Sequence, residues 1–219
     1  MQPKQLFEKL FAAFGEQYWW PAEQGKNREF EICVGAILTQ NTAWGNVEKA
    51  LQNLKKAKML SCSAIANARK QKIAKLIRSS GYFNQKAERL QLFCRHIESK
   101  YNGSLKKMLS KPVAELRKEL LSLKGIGKET ADSILLYAAN KPVFVIDAYT
   151  KRLAERLKLH DKLDYDSLQA FFESALERNA QLFNEFHALI VRFCKQTCKK
   201  EPLCTECFLR VHCYYCLVQ

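Results

Sequence analysis

Apolar residues return every three or four positions along almost the whole chain. Leu6, Phe7, Leu10, Phe11 and Phe14 make one stripe, and Leu51 with Leu54, Leu116 with Leu120 and Leu123, and Leu153 with Leu157 mark others. That spacing lines up side chains on one face of a helix, whereas a half-buried strand needs strict alternation. No convincing alternating run occurs. The one segment with strand propensity, Pro142-Val143-Phe144-Val145-Ile146, is short and lies between helical patterns, so it reads as an extended loop. The pattern predicts an all-α fold.

Breaks between the stripes are few. Eight Gly and five Pro in 219 residues suit helices joined by tight connections. Pro21 to Arg28 reads as a loop after the first helix, and Tyr101-Asn102-Gly103 marks another break. The length allows one or two domains of roughly 100 to 200 residues each. With no low-complexity linker and no repeat, a second domain must form by return of the chain.

Charge narrows the class of partner. Lys and Arg number 36 against 22 Asp and Glu, a net charge of +14, while 47% hydrophobic and 26% charged residues are ordinary for a globule. The positive charge therefore decorates a folded surface and points to a polyanion. No run of about 18 or more uncharged apolar residues exists to span a membrane, and the N-terminal MQPKQLFEKLFAAFGEQ carries charge throughout its apolar pattern, which argues against a secretory signal. A cytoplasmic protein without membrane partners is expected. Six of the nine cysteines crowd into Cys194 to Cys216. In a reducing compartment such a cluster reads as metal ligands rather than disulfides.

Two motifs carry chemistry. Leu123-Lys124-Gly125-Ile126-Gly127-Lys128-Glu129-Thr130-Ala131 sits between two amphipathic patterns. Its glycines allow backbone conformations closed to other residues, and amides at the start of the second helix can face an anion. It is no Walker loop, since Ser122 stands where the first Gly is needed and Glu129 follows Lys128; nor is it a dinucleotide fingerprint, since Thr130 takes the third Gly position. The second motif is Cys194-x3-Cys198-x5-Cys204-x2-Cys207-x5-Cys213-x2-Cys216. Thiolates on short loops suit zinc or an iron-sulfur cluster, but a zinc ribbon separates its knuckles by about 15 to 20 residues. Cys33, Cys62 and Cys94 lie in apolar helical contexts and read as structural thiols.

Taken in order, Leu38-Thr39-Gln40-Asn41-Thr42, Gly81-Tyr82-Phe83-Asn84-Gln85-Lys86-Ala87, Leu123 to Ala131, Val145-Ile146-Asp147 and the C-terminal cysteines resemble the endonuclease III superfamily of helix-hairpin-helix DNA glycosylases. The resemblance implies two helical lobes with a DNA cleft between them. Residues 22–140 would form a six-helix domain carrying the hairpin, and 1–21 with 141–219 a lobe holding a cluster loop. It also favours a 4Fe-4S cluster, with Cys198, Cys204, Cys207 and Cys213 as ligands and Lys199, Lys200 and Arg210 on a basic loop facing DNA. Cys198 and Cys204 enclose five residues where the family has six, which keeps Cys194 as an alternative first ligand and leaves Cys216 spare.

The same resemblance assigns roles in double-stranded DNA with a damaged base, bound by a monomer. The base must leave the stack, and Asn41, beside Gln40, would fill the gap. Lys124, Gly125, Gly127 and Lys128 would bind the DNA backbone. Asp147 matches the catalytic aspartate, whose carboxylate stabilises an oxocarbenium-like sugar or activates water. Endonuclease III proper has a lysine two residues after the second hairpin glycine, and here that residue is Glu129, so a monofunctional glycosylase is expected. Tyr18-Trp19-Trp20-Pro21 and Trp44 are similar to features of the 3-methyladenine glycosylase branch, where aromatic faces attract a cationic alkylated purine. Trp19, Trp20, Trp44 and Glu129 are the expected base pocket, with one of the paired tryptophans in the pocket and the other in the core. The alternatives are a bifunctional enzyme for oxidised pyrimidines, against which Glu129 argues, and a non-catalytic DNA-binding module, against which Asp147 argues.

Overall fold

The structure, a computed structural model, describes residues 1–22, 25 and 27–218; Glu23, Gln24 and Lys26, inside the loop expected from Pro21 to Arg28, lie outside the described residues. Among the described residues every regular element is helical. The chain divides into two compact units, one of residues 1–19 and 142–219 and one of residues 20–141. Helix α1 (Pro3–Phe14) opens the chain. The unit 20–141 holds α2 (Arg28–Leu38), α3 (Trp44–Lys56), α4 (Cys62–Asn67), α5 (Lys70–Leu76), α6 (Phe83–Tyr101), α7 (Leu105–Leu109), α8 (Val113–Ser122) and α9 (Lys128–Ser133), which continues into a π-helical turn, Ile134–Ala138. Helices α10 (Ala148–Leu157), α11 (Tyr165–Ser174), α12 (Ala180–Gln196) and α13 (Tyr214–Leu217) join α1 in the other unit. No helix of the described residues is long and apolar enough to cross a membrane.

The apolar stripes become the buried faces. Leu6 and Leu10 of α1, Leu51 and Leu54 of α3, Leu116 and Leu120 of α8, and Leu153 and Leu157 of α10 are all buried, whereas Leu123 lies just past the end of α8 and Phe11 is exposed. The unit 20–141 contains eight α-helical segments among the described residues, more than the six the resemblance implies. Local capping accounts for two short ones. Ser61 accepts the Ala64 amide to start α4, and Ser104 accepts the Lys107 amide to start α7, after Asn102 and Gly103 take the left-handed backbone that ends α6. Helix α2 is the central element, buried at every position from Phe30 to Leu38. An apolar helix with so little polar surface is stable only when wrapped by others.

The segment Pro142–Ile146 is extended, as expected, and sits within the core of its unit. Phe144 stacks on Phe172 at 4.6 Å and meets the edges of Phe183 and Phe186 at 5.5 and 5.6 Å. A buried backbone without a partner strand must find other hydrogen bonds. Side chains supply them here: the Phe144 amide donates to Glu173 Oε1 at 2.8 Å, and Gln169 Nε2 donates to the Phe144 carbonyl at 2.7 Å. Two side chains of α11 thus clamp the residues that lead into Asp147.

Candidate nucleic-acid interface and base pocket

The hairpin is built around one apolar plug. Ile126 is buried, its amide donates to the Leu123 carbonyl at 3.0 Å, and the flanking residues Lys124, Gly125, Gly127, Lys128 and Glu129 are exposed. The two glycines are not equivalent. Gly125 has φ +87, and a Cβ there would stand 2.5 Å from Arg89 Nε, so both backbone and space require glycine. Gly127 has φ −93, an ordinary extended conformation, and a Cβ there would meet nothing within 4 Å. Within the protein a Cβ is tolerated at 127, so of the two glycines only Gly125 has a conformation closed to other residues, where both were expected to. Lys124 Nζ lies 2.9 Å from Glu88 Oε1, both exposed, and Lys128 and Glu129 occupy the first turn of α9.

The loop after α2 meets this hairpin. Gln40 Nε2 donates to the Gly125 carbonyl at 3.0 Å and to Thr130 Oγ1 at 2.8 Å, while its Oε1 accepts from Arg89 Nη1. The Gln40 amide is engaged at both ends inside the protein, where it staples this loop to the hairpin and to α6. Asn41 is different. It is exposed, with left-handed backbone at φ 52. Tyr82, in the loop before α6, has φ 43 and is 65% exposed.

An aromatic cluster lies in the same unit. The Trp20 ring stands 4.9 Å from Trp44, perpendicular to it, and 5.1 Å from Tyr137 in the π-helical turn. Gly35 makes room for it, because a Cβ on that residue of α2 would come within 2.9 Å of Trp20 Cζ2. Trp44 Nε1 donates to Glu48 Oε1 at 2.8 Å. Trp20 is 7% exposed and half-buried Trp44 forms the more open wall. Trp19 belongs to the other unit and is half-buried.

Asp147 ends the clamped segment and caps α10. Its Oδ1 accepts from the Thr150 amide at 2.8 Å and from Thr150 Oγ1 at 3.0 Å, leaving Oδ2 toward His187 Nε2 of α12 at 3.6 Å. Burial alone raises a carboxyl pKa; here the His187 ring and the Thr150 donors outweigh it and hold Asp147 below the usual carboxylate range. The arrangement keeps a carboxylate charged in a place shielded from water. Such a group can oppose positive charge developing on a sugar.

The cysteine loop presents Cys198, Cys204, Cys207, Cys213 and Cys216 to one pocket floored by Leu153, Leu157 and Phe193. Cys216, expected to be spare, lines it as the others do, whereas Cys194 is not among the lining residues; its thiol is hydrogen-bonded with that of Cys198 and lies 3.6 Å from the Tyr149 carbonyl oxygen. Among the described residues no group of three or more of these side chains is assembled as a metal site. The donor set nonetheless fits an iron-sulfur cluster. Soft thiols surround one pocket, and Arg156 Nη1 lies 3.3 Å from Cys198 Sγ, where a cation favours a thiolate. Arg156 and Arg152 also bind the carbonyls of Lys199, Lys200, Cys194 and Cys198, tying the loop to α10.

Sequence reasoning misses His187, Arg89 and Tyr137. His187 and Arg89 sit in amphipathic helices and Tyr137 in the buried π-helical turn, and their partners lie 40, 49 and 117 residues away in Asp147, Gln40 and Trp20. No local signal distinguishes them from ordinary helix-face residues.

A helical hairpin with a glycine turn, a half-buried aspartate that caps a helix and a net charge of +14 together suit a helix-hairpin-helix protein that acts on nucleic acid. Residues 34–178 match the family described as HhH-GPD superfamily base excision DNA repair protein, and the chain belongs to that family. It is 44% identical over 211 residues to a candidate DNA repair glycosylase of Methanocaldococcus jannaschii, covering 95% of this chain and 94% of the relative. The crystal structure of H. pylori 3-methyladenine DNA glycosylase bound to 1,N6-ethenoadenine is similar at 33% identity and a TM-score of 0.78, covering 90% of this chain and 98% of that one. A non-covalent endonuclease III–DNA complex shares the fold at 20% identity and a TM-score of 0.83, covering 100% of this chain and 98% of its own. This chain is accordingly a DNA repair glycosylase of the superfamily.

Proposed function

We propose that the protein is a monofunctional DNA glycosylase that hydrolyses the glycosidic bond of an alkylated purine in duplex DNA, acting as a monomer. The observation that carries the reading is the Trp20, Trp44 and Tyr137 cluster beside Gly35, in which buried Trp20 and Tyr137 back half-buried Trp44, the ring that would present an electron-rich face to a flat cationic base. The similarity to a 3-methyladenine glycosylase supports the same substrate class. An alkylated purine already leaves readily, so the site needs a charge to stabilise the sugar more than it needs a general acid. Asp147 supplies that charge. Lys124, Gly125, Gly127 and Lys128 hold the DNA backbone, and Asn41 fills the gap left by the extruded nucleotide. Glu129, in the place of the lyase lysine, has no amine to form an imine with the sugar.

Cys198, Cys204, Cys207 and Cys213 would hold a 4Fe-4S cluster, with Cys216 a fifth thiol on the same pocket. Such a cluster supplies a structural cross-link for the loop carrying Lys199, Lys200 and Arg210. Purified protein should contain iron and absorb near 400 nm, roughly as iron-thiolate clusters do; colourless protein with stoichiometric zinc would reverse the assignment. The functional test is a panel of duplexes, each with one defined lesion, scored for free base. Release of 3-methyladenine or 1,N6-ethenoadenine in preference to oxidised pyrimidines supports the reading, and the opposite preference rejects it.

A further inference from the structure

Helix α6 carries two cations one turn apart, Lys86 and Arg89, and both donate into loops. Lys86 is 1% exposed. Its Nζ donates to the Leu38 carbonyl at 2.8 Å and to the Ser80 carbonyl at 2.6 Å. Burial, with the Arg89 charge adding to it, pulls this ammonium down to about 8. Two neutral carbonyls offset the loss of hydration only in part, so this lysine is a poor source of stability. What it does fix is position. Leu38 ends α2 and leads into Gln40 and Asn41, and Ser80 leads into Gly81 and Tyr82. Asn41 and Tyr82 both hold left-handed backbone, which costs a non-glycine residue on the order of 1 kcal/mol or more and persists only when its surroundings enforce it.

Arg89 extends the same device to the hairpin. Its side chain passes beneath Gly125, in the space a Cβ would need, and its Nη1 donates to Gln40 Oε1. Gln40 in turn donates to the Gly125 carbonyl and to Thr130. One face of α6 therefore touches the loop 39–42, the loop 80–82 and the hairpin 124–127. We propose that Arg89 is a positioning residue which, through Gln40, locks the base-displacing loop to the phosphate-binding hairpin, while Lys86 holds the chain at Leu38 and Ser80, so that seating the hairpin on the DNA backbone fixes where Asn41 enters the duplex. The inference rests on the glycosylase reading for the role of Asn41, but the interlock itself is a property of the free protein.

Two variants test it. Arg89→Met keeps the stem beneath Gly125 and removes the guanidinium, and Gln40→Met keeps length and removes the amide. In the free protein, amide hydrogen exchange in 39–42 and 124–127 should accelerate together by about ten-fold in either variant while α8 stays protected. Base release should then be compared on one lesion in a fully paired duplex and in a small mismatch bubble, where extrusion costs less. A positioning role lowers the rate by about ten-fold on the paired lesion and by less than about two-fold in the bubble, whereas a merely structural loss lowers both alike. Equal losses on the two substrates, no loss on either, or unchanged exchange in the two loops would overturn the coupling. Wild-type protein that releases base from neither duplex would reject the glycosylase reading, and the exchange result would still decide the interlock.

Discussion

Replacing Asp147 by asparagine changes the charge of the side chain and spares its shape and its cap. The Oδ1 of either residue accepts from the Thr150 amide and hydroxyl, now at 2.8 and 3.0 Å, and Asn and Asp are nearly equivalent as N-caps. Stability should therefore fall by no more than about 1 kcal/mol, the range of a lost charge–dipole term at a helix start. The rate should fall much further. A unit charge about 4 Å from a developing oxocarbenium contributes about 4 kcal/mol at an effective dielectric near 20, which is about three powers of ten in rate. Asp147→Ala loses the charge and the cap together, so it adds about 1 kcal/mol of destabilisation to the same rate loss. Single-turnover base release with thermal melting of all three proteins separates the two effects. An asparagine variant within about ten-fold of wild type would refute the electrostatic role, and one as unstable as the alanine variant would refute the capping role.

The hairpin glycines should respond in opposite ways. Gly125→Ala meets both φ +87 and Arg89 and should cost about 2 kcal/mol in thermal melting, whereas Gly127→Ala should leave stability within about 0.5 kcal/mol yet weaken binding to any duplex, read by fluorescence anisotropy. Glu119 is a stability element away from the site: it accepts from Tyr101, His96 and Lys111 at 2.6 to 2.7 Å and pairs with Lys100 at 3.0 Å. Burial opposes its charge, and the Lys111, Tyr101, His96 and Lys100 donors overcome that and hold its pKa far below the ordinary glutamate value. A depressed carboxylate pKa contributes stability that is complete above the unfolded value near 4.3 and is lost as pH falls below it toward the folded value. Glu119→Gln, discounted because Lys100 is half exposed, should cost about 2 kcal/mol, or roughly 4–8 °C in melting temperature at pH 7, and should flatten the acid loss of stability below about pH 4.5.

Much of this fold is legible in the chain because helix periodicity is a local property. The stripes through Leu6, Leu51, Leu116 and Leu153 need only three- and four-residue spacing, and the structure buries them as that spacing requires. Pro142–Ile146 is harder. Its β-branched residues favour a strand, and what keeps it from being one is Glu173 and Gln169 on α11, which occupy the backbone groups a neighbouring strand would use. The candidate site is legible where it is written in backbone chemistry, as in Gly125 with its positive φ, or in the order of short motifs, as in Asp147 and the C-terminal cysteines. Gln40 shows the limit. Its residue type suits a DNA contact, but its amide is taken by Arg89, Gly125 and Thr130, and no local pattern announces partners 49, 85 and 90 residues away. His187 is hidden for the same reason, as an ordinary member of an amphipathic helix until the fold sets it 3.6 Å from Asp147.

The central claim is hydrolytic release of an alkylated purine without strand cleavage. It is tested most directly by a single time course on a duplex carrying one 3-methyladenine or 1,N6-ethenoadenine, in which free base and strand breaks are measured in the same samples, with and without alkali and with borohydride present. Free base should accumulate with an intact strand that breaks only after alkali, and no covalent protein–DNA complex should form, because Glu129 stands where an attacking lysine would be. Strand breaks that keep pace with base release, together with an efficient borohydride-trapped complex, would contradict it.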